Sequence, residues 1–448
     1  MTRKTRLMLY ITFVSLFLIT APLIVLYTAG YTFNFSSGKF VQTGLFTIST
    51  EPRGALIFIN SKLQKQRTNA LIKNLAPGEY SVRLEKTGYH AWEKRLPIRS
   101  KETTPIENIL LFLASEPIIK LEAKLSSIAK DAGSSTFVFS ADNGTTEDII
   151  AYANNTFITI GRYAKTDGET KLIVSKNGTW VAIKLAENNQ DKWIAVKQEE
   201  KNKTIDISGI VDGKIFEFYS DPVEPGIFYA ITKENLWKID AENNSAEILL
   251  NEPVAGYSSQ TGITIARNQN GRSEIIRVEQ QNETPLAILP AWANEFASAR
   301  GQYLVVRDKE QSHIAVIDTL SQSEPILLQT SASISEWASD PSDTRLLYSD
   351  GFEIHIYDPR THTDELVTRS SELFQDIVWH PSGTFVITAQ GGNIQAIELD
   401  SRGKRNVINL AKFDSANALL LQNSAKLLEI IGTTNEKTGV YELEIVEK

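Results

Sequence analysis

Cysteine is absent from all 448 residues, which excludes disulfides, thiolate metal sites and a cysteine nucleophile. Stability must therefore come from buried apolar surface and paired strands alone. Histidine is scarce, with only His90, His313, His355, His362 and His380. His355 and His362 lie close in sequence to Asp364 and Glu365, yet the spacing offers no supporting shell for a metal, so all four read as surface polar residues. Asp142-Asn143-Gly144 followed by Glu147 and Asp148 resembles a calcium loop superficially, but an Asn-Gly hairpin turn accounts for it. Gly-x-Ser-x-Gly, His-Glu-x-x-His, Gly-x-Gly-x-x-Gly and Gly-x-x-x-x-Gly-Lys are all missing. The nearest approach to a nucleophile elbow, Gly256-Tyr257-Ser258-Ser259-Gln260, lacks the second glycine. No catalytic residue, cofactor or metal ligand is expected, and the chain reads as a non-enzyme.

Long apolar runs are also missing, with one exception. Residues 7–29 (LMLYITFVSLFLITAPLIVLYTA) carry no charge and, at roughly 1.5 Å per residue, cover the ~30 Å hydrocarbon core of a bilayer. Arg3, Lys4 and Arg6 precede this run and no basic residue occurs in 30–38. Because Lys and Arg beside a first span are retained in the cytoplasm, the N-terminus is expected inside and everything after the span outside. A secretory signal has an apolar core of about 7–15 residues. This run is longer, so an uncleaved single-pass anchor is expected in spite of the small residues Thr28-Ala29-Gly30. Pro22 is tolerated in a membrane helix because neighbouring groups satisfy the freed carbonyl.

The net charge of −8 conceals an asymmetry. Residues 30–115 hold twelve basic and six acidic side chains, a balance of +6, and the three cations before Leu7 add +3; the remainder from Glu116 therefore carries −17. A basic membrane-proximal module precedes an acidic distal one, which repels phosphates and argues against nucleic acid as a partner. The basic module is matched to anionic headgroups or an anionic wall polymer, or else simply presents solvated strand faces.

Between 45 and 114 polar and apolar residues alternate with period two, the mark of half-buried strands. Strands are expected at 45–50, 55–60, 79–86, 91–99 and 106–113, separated by Pro52-Arg53-Gly54, Ala76-Pro77-Gly78 and Thr87-Gly88-Tyr89, where proline presets φ and glycine accepts positive φ. The succession TEPRGALIFIN (50–60), NLAPGEYSVRL (74–84) and KTGYHAW (86–92) resembles the PEGA domain, although Arg53 replaces the usual Glu and the Gly-x-x-x-Thr-Pro segment is degraded to KQRTNA (65–70). The resemblance implies a surface-exposed, non-catalytic β-sandwich associated with the cell envelope. Pro52, Gly54, Ala55, Pro77, Gly78, Gly88 and Tyr89 are its turn-motif residues, read as structural rather than ligand-binding. Tyr89 and Trp92 are expected to fill the core instead of forming a carbohydrate patch.

From 115 onward no helical periodicity is sustained. Apolar strand centres fall at Phe137, Val181, Phe228, Ile263, Leu304, Leu346, Phe385 and Leu427, seven intervals averaging about 41 residues, the repeat length of a four-stranded propeller blade. Residues 375–380, 384–390, 393–400 and 405–410 read as one blade, and 334–338, 345–349, 353–358 and 365–369 as the blade before it. The last repeat (418–422, 427–431, 440–446) lacks a strand, and 117–121 supplies it, closing the ring without a free edge. Eight blades are expected, with seven the alternative. Trp379-His380-Pro381-Ser382-Gly383 and Ser175–Trp180 resemble the turns of Tol-system and peptidase-type propellers; the Gly-His and Trp-Asp signatures of Trp-Asp repeats are absent. The chain is thus mainly β, with expected segments 1–6 (cytoplasmic tail), 7–29 (transmembrane helix), 30–44 (linker or hairpin), 45–114 (PEGA-like domain) and 115–448 (propeller). Functionally it reads as a membrane-anchored, extracytoplasmic binding or scaffold protein whose partners are membrane lipid, through the helix, and an envelope protein or glycan. The alternative is a glycan-active hydrolase or lyase that uses acids on the propeller face.

Overall fold

The computed structural model describes residues 3–28, 30–34, 38–130, 136–153, 156–165, 170–187, 190–200, 203–260, 262–279, 282–292, 294–340, 342–422 and 424–447. Ala29, the expected last residue of the span, lies outside them. By their contacts these residues form two compact units: residues 1–115 with Ile397–Leu410 and Ile445–Lys448, and Glu116–Ala396 with Ala411–Glu444.

In the first unit the apolar run forms a helix, Arg3–Thr28, whose first turn carries the three cations and which buries no residue. It is the one helix among the described residues long and apolar enough to cross a membrane. Thr12 and Thr20 donate their hydroxyls to the carbonyls of Met8 and Leu16, so these two polar side chains are satisfied within the helix. A hairpin, Tyr31–Asn34 with Lys39–Gln42, leads the chain back to the helix end. There Thr43 donates both its N–H and its hydroxyl to the Gly30 carbonyl, each at 2.8 Å.

The β-sandwich follows directly. One sheet orders Ala70–Leu75, Gly44–Glu51 and Thr103–Leu110, and the other Lys62–Arg67, Leu56–Ile59, Gly78–Glu85 and Trp92–Ile98. Alternation along Gly44–Glu51 and Trp92–Ile98 turns Phe46, Ile48, Trp92, Leu96 and Ile98 inward, each fully buried side chain contributing about 1.5–3 kcal/mol. Trp92 is a core residue, 1% exposed, and Tyr89 packs against the same core.

From Glu116 onward the described residues form eight four-stranded sheets, seven of them wholly in the second unit and one whose last two strands, Asn393–Glu398 and Val407–Lys412, are divided between the units. The eighth combines Ser415–Leu421, Leu427–Thr434 and Lys437–Glu444 with Ile118–Glu122 from the start of the unit, and Ile118 pairs with Glu442 in that register. The ring is an eight-bladed propeller fastened by its first strand, as the sequence predicts. First strands of successive sheets pack on one another and form the inner wall. Second strands are the most deeply covered: Phe137–Asp142, Ile227–Ile231, Leu346–Ser349 and Phe385–Gln390 are buried almost throughout, because a central strand is paired on both edges and covered on both faces by neighbouring blades.

Candidate functional site in the propeller channel

Inner strands place their inward side chains around a common axis, and two ion pairs between non-adjacent blades demonstrate the convergence. Lys130 ends the inner strand of the first blade, Lys124–Lys130, yet its ammonium lies 3.9 Å from Glu336 on the inner strand of the sixth, Ile334–Trp337. Lys309, in a loop of the fifth blade, lies 2.6 Å from Glu217, the first residue of the third blade's inner strand, Glu217–Ser220. Lys171 approaches the same Glu217 at 3.7 Å, and Arg307 lies 3.8 Å from Glu295. Glu217, Lys171 and Glu295 stand at strand starts and Lys130 at a strand end. With all inner strands running the same way, the two groups of charges occupy opposite mouths of the channel.

Glu336 and Asp376 are acids from neighbouring blades, and their carboxyls do the same job. Glu336 Oε2 accepts the Trp379 N–H at 3.1 Å, and Asp376 Oδ2 accepts the Leu419 N–H at 2.8 Å. Each therefore reaches to the next blade's inner strand and satisfies a donor on its unpaired inner edge, a group costly to leave unmade. Asp376 Oδ1 takes the Ile377 N–H, and the Trp379 indole donates to the Glu336 carbonyl. Burial pushes both carboxyls above their ordinary pKa, against the lowering influence of Lys130 and of the backbone donors. Glu336 nonetheless keeps a side-chain exposure of 32%: water enters the channel, but protein surrounds it.

A third buried acid sits where the ring closes. Glu429 accepts from Gln422 Nε2 at 2.6 Å, and Gln422 also donates to the Tyr152 hydroxyl of the first blade at 3.2 Å. Desolvation raises the Glu429 carboxyl to about 7, and Glu442 adds to the effect.

The residues singled out by sequence are dispersed. Gly54, Gly78 and Gly88 have φ of +86°, +157° and +82°, Ala55 is fully buried, and Pro52 and Pro77 stand in the connections between strands. Tyr89 donates to Glu447 Oε2 at 2.6 Å. Pro52 also lines a polar cleft of about 520 Å³ with Ser49, Glu51, Arg53, Asn69 and Asn108. His355 lies between Glu353 (3.0 Å) and Asp364 (3.2 Å), and Tyr348 donates to the same Asp364 at 2.7 Å. In the Asp142-Asn143-Gly144 hairpin, Asp142 pairs with Lys165 and Asp148 with Arg162, both at 2.6 Å, while Glu147 is buried against the Ser140 and Thr170 hydroxyls. No group of three or more potential metal-ligating side chains converges among the described residues. Sequence reasoning did not find Lys130, Glu336 and Asp376. Only their recurrence on inner strands marks them, and that requires knowing which strand of each repeat lies innermost.

Residues 43–110 match the PEGA domain family. The chain is structurally similar to Saccharomyces cerevisiae Sqt1 (11% identity, 75% of this chain, 99% of that one, TM-score 0.47) and to the Myceliophteria thermophila Cps50 (Swd1) beta-propeller domain (11% identity, 74% and 99%, TM-score 0.41). Among curated proteins none matches the sequence.

Proposed function

We propose that this chain is a single-pass membrane protein of the cell envelope whose extracytoplasmic propeller is an interaction platform and whose PEGA module is a spacer or wall-associating domain. The observation that carries this reading is the pairing of a 26-residue helix that has a long apolar run and no buried residue with a closed ring whose channel acids are tied to backbone donors and, for Glu336, to Lys130. Arg3, Lys4 and Arg6 before the helix favour a cytoplasmic N-terminus. On this reading the chain divides into a tail (1–6), span (7–29), linker (30–44), PEGA module (45–114) and propeller (115–448), and Pro52, Gly54, Ala55, Pro77, Gly78, Gly88 and Tyr89 shape turns rather than bind ligand. The partner is an envelope protein or glycan. Cross-linking followed by affinity capture from envelope fractions should recover the same partner with the whole ectodomain and with the propeller alone. Recovery only with the PEGA module would contradict the platform assignment.

The second reading, a glycan-active hydrolase or lyase, is favoured by one observation: Glu336 and Asp376 come from neighbouring blades and both carboxyls are pushed up by burial, the kind of acid pair glycosidases use. It requires turnover of envelope oligosaccharides that Glu336→Gln abolishes; a wild-type protein without turnover removes it.

A further inference from the structure

The strands Lys62–Arg67 and Ala70–Leu75 are the edge strands of the two sandwich sheets. From residue 60 to 76 the chain holds Lys62, Lys65, Arg67 and Lys73 and no acid. All four cations are exposed, and none forms an ion pair among the described residues, whereas Arg83, Lys94 and Arg99 of the same unit each face a carboxylate. Leu63 and Leu71 lie among them, 58% and 49% exposed.

One of these edges, Ala70–Leu75, is held next to the exit of the helix, and the other, Lys62–Arg67, is joined to it by a two-residue turn. The Thr43 bonds to Gly30 return the chain to the helix end before the sandwich begins, and Asn74, on one of the edge strands, donates to the Tyr27 hydroxyl in the last turn of the helix at 3.3 Å. The intervening hairpin presents Phe33 and Phe40, 40% and 47% exposed and packed edge to face at 5.3 Å. Apolar rings seated at the headgroup–acyl boundary with cations beside them are what bind a surface to an anionic bilayer.

We infer that the hairpin aromatics and the unpaired cations of the two edge strands form a collar that docks on anionic phospholipid in the leaflet where the helix emerges. This inference rests on reading the helix as a membrane span. The collar holds the sandwich against the bilayer, so the module is a base plate instead of a free spacer. Each cation loses its docking contribution when salt screens it.

The test uses the full chain in nanodiscs of phosphatidylcholine alone or mixed with phosphatidylglycerol, and compares acylation rates of Lys62, Lys65 and Lys73 by mass spectrometry. Phosphatidylglycerol should slow acylation about fivefold or more. High salt should remove that protection. In the variant Lys62→Gln/Lys65→Gln/Arg67→Gln/Lys73→Gln, hydrogen exchange in the strands Tyr31–Asn34 and Lys39–Gln42 should no longer respond to phosphatidylglycerol, while exchange in Trp92–Ile98 stays unchanged and shows that the sandwich is folded. Equal acylation in both lipids, from a chain that resists alkaline extraction, overturns the docking inference alone. A chain that alkali extracts overturns the anchor reading and the inference with it. Protection by a soluble anionic wall polymer in phosphatidylcholine discs, with none from phosphatidylglycerol, assigns the collar to the wall and also overturns it.

Discussion

Two buried groups set opposite pH limits on the propeller. Glu429 has a folded pKa of about 7 against an ordinary 4.5, so between those values the native state holds a proton that the unfolded chain has released. Stability is highest on the acid side and falls as pH rises through about 7, by roughly 3 kcal/mol for a shift of this size. Glu429→Gln should raise the urea midpoint at pH 8 and flatten its decline between pH 5 and 8; an unchanged profile would show that the carboxyl does not control the seam. His380 acts in the reverse direction. Burial lowers it from 6.5 to about 4, its Nδ1 takes the Ser382 N–H at 3.2 Å, and stability is lost as pH falls below about 6.5 because only the unfolded chain binds the proton. Removing the imidazole in His380→Asn should lessen the acid-side slope, measured as the urea midpoint between pH 4.5 and 6.5. In the first unit, Lys94 has no exposed side-chain surface and lies 2.9 Å from Glu398 and 3.4 Å from Asp400. Lys94→Met should cost about 3–5 kcal/mol, since it strands a buried carboxylate, and Lys94→Met/Glu398→Leu should recover most of that loss. A double variant as unstable as the single one would mean that packing, not charge, holds the site.

At the scale of elements, the eight strand centres legible in the sequence are second strands or immediately precede one. Phe137, Phe228 and Phe385 announce themselves because central strands must be apolar on both faces. Outer strands such as Thr363–Arg369 are largely exposed and are recognisable only by their distance from the centre. The same physics hid Lys62–Arg67 and Ala70–Leu75. As edge strands they bury little beyond Ile72, and their lysines and glutamines read as a degraded motif. The channel acids left no trace in the sequence, because Glu336 and Asp376 answer to backbone donors some forty residues away. The closing strand was legible because the last repeat is one strand short. Gly439 lies against it so closely that a Cβ there would run into the Leu121 carbonyl oxygen. Gly439→Val should therefore cost about 1–3 kcal/mol and increase hydrogen exchange in Ile118–Glu122 while the second blade stays protected. Uniform exchange across all blades would contradict a seam at that strand.

For the molecule as a whole, charge and hydropathy divide the chain into a cation-flanked helix, a basic sandwich and an acidic ring. On the proposed topology the helix separates the basic residues before it from the two β modules after it. Because the chain has no cysteine, single substitutions can report each side without background. The decisive measurement is labelling of intact cells with a membrane-impermeant maleimide, using Ser245→Cys on an exposed strand of the propeller and Thr5→Cys in the first turn of the helix. Ser245→Cys should be labelled in intact cells and Thr5→Cys only after the membrane is permeabilised. The reverse pattern, or protection of both in cells whose outer layers admit the reagent, would contradict the extracytoplasmic propeller.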